Sequence, residues 1–285
     1  MLRNSFYPEP QQINYIKIMK NIAFIICMVL VGLVTQQVKS QEKSIDIPLS
    51  EAGKRGMLRV EVHRGTVEVK GTNRNDVLVT YESLSRASSQ PEETKNGLKK
   101  ITGGGIDLEI RENDNKVVVD VDHSSNPVAL VIEVPKDFDL EIGTHHIGNV
   151  ALENINGEIV VDAHHGGVSA KDISGSLVAN SWHGDIKVAF NEVANDIPMA
   201  FTTYHGDVEL MLPSSVKADL KLRSDRGDIF SGFDVELKKQ SVNREKDDDG
   251  VYKVSVDELI TGTINGGGNA MSLQTHHGDI YVKKN

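Results

Sequence analysis

Thr275 to Ile280 reads THHGDI, and the fold follows from how often that phrase returns. It stands as AHHGGV at 163–168, SWHGDI at 181–186, TYHGDV at 203–208 and, with arginine in place of histidine, SDRGDI at 224–229. A looser copy, THHIGNV at 144–150, carries one extra residue. A ring, a histidine, a glycine, an acid and a β-branched residue match no catalytic signature. The phrase is a structural repeat, and the repeat has to be settled before any site is considered.

The upstream copies fix the period. Gly148, Gly157, Gly166, Gly175 and Gly184 lie nine residues apart. Two positions after each glycine come Val150, Ile159, Val168, Leu177 and Ile186, and four positions after come Leu152, Val161, Ala170, Ala179 and Val188. Apolar residues at i and i+2 belong to a strand. Each nine-residue unit therefore holds one short strand and one corner, with glycine at the corner because it takes positive φ without a Cβ clash. The units end alternately in Ile155-Asn156 and Ile173-Ser174, or in His164-His165 and Trp182-His183. Two units, eighteen residues, make one coil. Such a coil cannot bury its apolar side chains alone, so coils stack about 4.8 Å apart and their histidines line up along one edge.

Outward from this region, residues 1–18 show no period and are expected to be a non-native or disordered extension. Met19-Lys20 precedes the thirteen-residue apolar run Ile22 to Val34, and Val38-Lys39-Ser40 stands ahead of Gln41. A charged start, a short apolar run and a small residue describe a signal peptide over 19–40; the run is too short to span a bilayer. Export to the periplasm, cell surface or medium is expected. Cys27, the only cysteine, lies inside that run. The chain beyond it has no disulfide, thiolate metal site or cysteine nucleophile. Without the first forty residues there are 27 basic and 40 acidic side chains, net −13, which argues against nucleic acid as a partner.

Residues 41–136 form the N-terminal β-strand region. LRVEV, TVEVKG and VLVTYE alternate between Leu58 and Glu82, and strands return at IDLEIRE (106–112), KVVVDVD (116–122) and VALVIEVP (128–135). The polar stretch 83–105 is expected to be a mobile excursion. This broader sheet caps the β-solenoid of residues 137–285, because an uncovered terminal coil leaves an open strand edge. SVNREKDDDG at 241–250 is expected to be a solvated loop between coils; its consecutive acids lack the spacing of a calcium loop. The fold class is all-β, a stacked β-solenoid.

The C-terminal run TGTINGGGNAMSLQTHHGDIYVKKN (261–285), the repeated G-D-[IV] corners and the VIEVP strand resemble a family of exported bacterial β-strand-repeat proteins of adhesin-like type. The resemblance covers roughly Ile45 to Lys284. It implies a solenoid domain of the cell envelope and carries over no catalytic residue. This chain departs from the family by placing His before the corner glycine, where Ser, Thr or Asn is usual.

Three functions are expected to compete: a non-catalytic binding or structural module of the envelope acting through solenoid faces, an envelope-stress sensor or accessory protein, and a β-helix polysaccharide lyase or hydrolase. The enzyme would draw on Asp185, Asp207, Asp228, Asp279 and Arg226, but their equivalent corner positions make a ladder without a convergent site. No cofactor is required, and the partner is an envelope protein or polysaccharide. Trp182 and Tyr204, next to His164 and His276, are candidates for a carbohydrate-stacking stripe, or simply pack on each other between coils. His165, His183, His205 and His277 with Asp185, Asp207 and Asp279 are candidate ligands for zinc or copper. The alternative is that these rings stack and donate to corner carbonyls or to the aspartates of their row.

Overall fold

The structure is a computed structural model and describes residues 43–84, 94–95, 98–99, 106–122, 126–146, 148–238, 242–246, 252–256 and 259–285. The extension, the leader with Cys27 and most of the 83–105 excursion lie outside the described residues. Every regular element described is a strand, and among the described residues no helix is long and apolar enough to cross a membrane. The chain is all-β and solenoid-like.

Two ladders of parallel strands, one per face, build the body. On the first face Lys116–Val121 pairs with the first half of Gly56–Thr72, which pairs with Phe138–His146. Asn156–Ala163, the second half of Val168–His183, and Met199–His205 follow in turn. On the second face Val128–Pro135 leads through the second half of Gly56–Thr72 to Val150–Glu153, the first half of Val168–His183, Ile186–Val193 and Val208–Leu212. Gly157 registers with Gly175, and Val150 with Val168, so one coil is eighteen residues. All ten apolar positions read from the glycine period are buried. They interdigitate with Phe138, Phe190 and Phe201, the largest fully buried side chains, in one continuous core between the faces.

Parallel pairing runs across residue 137: LRVEV and TVEVKG are one strand, Gly56–Thr72, turning the corner at Gly65. Antiparallel strands close the first end on both faces and the far end on the first face. Leu108–Asn113 covers the first face, and Asp76–Ser83 with Lys43–Pro48 covers the second. At the far end Ile260–Ile264 lies antiparallel on Ala218–Ser224. These caps replace parallel edges that would accept another chain.

Coil order in space differs from coil order in sequence. The C-terminal coil, Asn269–His277 and Ile280–Lys284, sits between the coil of Met199–His205 and Val208–Leu212 and that of Ala218–Ser224 and Ile229–Ser231. His277 therefore registers with His205, and SDRGDI becomes the outermost copy. The 241–250 expectation needs correction in its described part: Val242–Lys246 pairs antiparallel with Tyr252–Val256 as a hairpin. The alternation in YKVSV is a strand pattern, and VNREK pairs with it despite its charge.

Candidate functional site

The repeated corner places four rows of side chains along one edge, each with its own environment. The innermost is Thr144, Ser181, Thr203, Thr275 and Ser224, of which all but Ser224 are buried. Their hydroxyls donate to corner carbonyls: Ser181 to Gly166 at 3.0 Å, Thr203 to Gly184 at 2.9 Å, Thr275 to Gly206 at 2.8 Å and Ser224 to Gly278 at 2.8 Å. Bends in the chain thus find partners for backbone groups that the ladders miss.

The aspartate row joins one coil to the next. Asp185 accepts the N–H of Asp207 at 3.0 Å, Asp207 that of Asp279 at 2.8 Å, and Asp279 that of Asp228 at 2.8 Å. Asn149 does the same for Gly167 at 2.9 Å. The second oxygen of Asp185 takes Lys187, and that of Asp279 takes the Tyr281 hydroxyl. The Lys187 ammonium first, and the backbone amide next, hold Asp185 below the usual carboxylate range; for Asp279 the amide of Asp228 leads.

Both ring rows face solvent. The first runs His164, Trp182, Tyr204 and His276, nearly parallel, with centroids 6.0, 4.9 and 4.6 Å apart. It ends on Asp225, which accepts from His276 Nδ1 and from Arg223 at 2.8 Å. Trp182 is 49% exposed and Tyr204 37%. Each ring lies against the next, which is the packing between coils that the sequence offered beside a carbohydrate-stacking stripe, and Trp182 and Tyr204 stay partly open to solvent.

The second ring row is His146, His165, His183, His205 and His277, with centroid spacings of 5.8, 5.0, 5.1 and 4.7 Å. His165 and His183 approach Nδ1 to Nδ1 at 3.1 Å. The rings stack, as the structural alternative has it, but among the described residues their hydrogen bonds do not run to the corner carbonyls or to the aspartates of the row, which the hydroxyl row and the backbone amides engage. Partial burial, then the neighbouring rings, push His165 below its ordinary pKa. His277 is lowered by burial and by the Arg226 guanidinium. His146 and His145 were not among the candidates, because the added Ile147 hides the phrase; the THH triplet at 144–146 was the available signal.

Beside the edge, on the outer side of the first face, lies an open groove of about 680 Å³. Glu61, Glu141, Glu158 and Asp162 make it acidic, Val160 gives it an apolar floor, and Trp182 stands at its rim. At Gly143 the Glu61 carboxylate lies over the backbone, 2.3 Å from where a Cβ would stand. No sequence signal beyond outward alternation marked this groove. Among the described residues no group of three or more His, Cys, Asp or Glu is arranged to hold a metal ion.

Residues 146–283 match the Toastrack DUF4097 family, a span from the ring corner at His146 to the last strand. Two solved structures are similar in outline. One is a candidate cell adhesion protein from Clostridium sporogenes ATCC 15579, 13% identical, covering 87% of this chain and 100% of its own, with a TM-score of 0.45. The other is a candidate adhesin from Bacteroides fragilis NCTC 9343, 12% identical, covering 86% and 97%, with a TM-score of 0.40. No curated protein matches the sequence.

Proposed function

We propose that this chain, whose residues 146–283 match the Toastrack family, is an exported, non-catalytic binding module of the cell envelope, adhesin-like in kind, with a stacked solenoid as its scaffold and the ring edge as its contact surface. The observation that carries this reading is the exposed, stacked run of His164, Trp182, Tyr204 and His276 beside the acidic groove. Tryptophan and tyrosine concentrate where binding energy is found, and a rigid surface loses little entropy on contact. With the rings stacked on one another, recognition runs through the indole N–H, the phenol O–H and the imidazole nitrogens. That favours an envelope protein with basic side chains for the groove over a polysaccharide.

The non-catalytic reading is supported by the aspartates. Asp185, Asp207 and Asp279 each accept a backbone N–H, the use expected of carboxylates that hold coils in register. Export rests on the apolar run 22–34.

The test is binding of the full chain to separated envelope proteins and polysaccharides, comparing wild type with Trp182→Ala/Tyr204→Ala. Retention on a protein fraction should fall at least tenfold in the variant. Equal retention overturns the contact surface. Polysaccharide breakdown that disappears in a folded Asp207→Ala variant overturns the non-catalytic reading.

A further inference from the structure

We propose that neighbouring rungs of the second ring row, His165, His183, His205 and His277, bind divalent transition-metal ions through imidazole alone, each ion shared between adjacent coils. The inference is independent of the binding-module reading.

The first ground is that these rings, though stacked on one another, satisfy none of the corner's backbone groups. The Thr and Ser hydroxyls satisfy the corner carbonyls, and the aspartates satisfy the corner amides. Among the described residues, the hydrogen bonds of the row's ring nitrogens come down to the His165–His183 contact. The rings are exposed or half-exposed, so they fill no part of the core.

The second ground is distance. Two nitrogens bound to one ion at about 2.05 Å and roughly 100° apart are separated by about 3.1 Å. His165 and His183 already stand 3.1 Å apart, Nδ1 to Nδ1. Their rings are tilted by only 12°, so coordination requires a turn of one ring about its Cβ–Cγ bond to bring both lone pairs onto the ion. Exposure permits that turn. At His183–His205 and His205–His277 the ring centroids lie 5.1 and 4.7 Å apart, comparable with the 5.0 Å of His165–His183.

The third ground is continuity. Insertion of the C-terminal coil carries the row on from His205 to His277, where sequence order alone would have set Arg226 next. Each aspartate of the row accepts a corner amide through one oxygen, so water completes the coordination, and an all-imidazole set favours copper over zinc.

The single tryptophan provides the readout, since Trp182 lies 6.5 Å from His183 and a copper ion there would quench it. The untagged full chain is titrated with CuCl₂ and, separately, ZnCl₂, following Trp182 fluorescence and calorimetric heat. His165→Asn/His205→Asn breaks every adjacent pair in the row, whereas His145→Asn/His164→Asn removes the same number of imidazoles outside it. Saturable copper binding with quenching is expected in wild type and in the second variant, and at least tenfold weaker binding in the first, with circular dichroism unchanged. No saturable binding in wild type, or equal weakening in both variants, overturns the proposal.

Discussion

Thr203 lies almost wholly inside the corner, where its hydroxyl donates to Gly184 at 2.9 Å. Valine has the same shape without the donor, so Thr203→Val should lower stability by about 1–2 kcal/mol in urea unfolding, the cost of a buried carbonyl losing its partner. Gly206 is constrained differently. Its φ is +150° and a Cβ would lie 2.4 Å from the Gly184 carbonyl oxygen. Gly206→Ala should cost about 3 kcal/mol or more by the same assay, because strain and overlap with backbone act together.

The histidines give a pH dependence at the same scale. His165 and His277 have folded-state pKa values below the ordinary value of about 6.5, so the unfolded chain binds protons more readily. Their contribution is fully present above pH 6.5 and fades as pH falls through that value toward the folded one. The lowered carboxylates, Asp185 and Asp279 among them, retain their contribution until pH falls below about 4. Melting temperature in EDTA should fall from pH 7.5 to 5, and fall less in His165→Asn/His277→Asn. An unchanged slope would contradict the electrostatic origin. The histidine row itself was legible in the sequence. Its environment was not, because which group satisfies a corner carbonyl depends on side-chain direction at the bend.

At the scale of elements, the alternation of apolar residues named the strands and the glycine period named the coil. What the period left out was pairing between distant segments: a nine-residue rule specifies how a coil stacks on a neighbour, not which coil that neighbour is. The C-terminal coil therefore reads as terminal and folds as internal. Removing residues 269–285 should abolish cooperative unfolding, since Met199–His205 and Ala218–Ser224 would each face a gap one coil wide. A soluble, cooperatively melting truncation would contradict that placement. Within the core, Phe190→Ala should cost about 3–5 kcal/mol, because the interior between two sheets held rigid by ladders closes poorly over a cavity.

For the whole molecule, the account joins a capped, rigid all-β body to an exposed double row of rings and an acidic groove. The groove depends on side chains from Gly56–Thr72, Phe138–His146 and Asn156–Ala163. Only the strand order brings Glu61, Glu141 and Glu158 onto one surface, and composition says no more than that the chain is acidic. Coil order makes the ring edge continuous, so it is the claim on which the rest depends. Thr202 and Arg223 both register with Gln274, from opposite sides. In a Cys27→Ser background, Thr202→Cys/Gln274→Cys sits on adjacent strands about 4.8 Å apart, within disulfide reach, whereas Thr202→Cys/Arg223→Cys is about 9.6 Å apart. Under mild oxidation the first pair should cross-link and the second remain reduced; cross-linking of 202 to 223 with 274 left free would contradict the account.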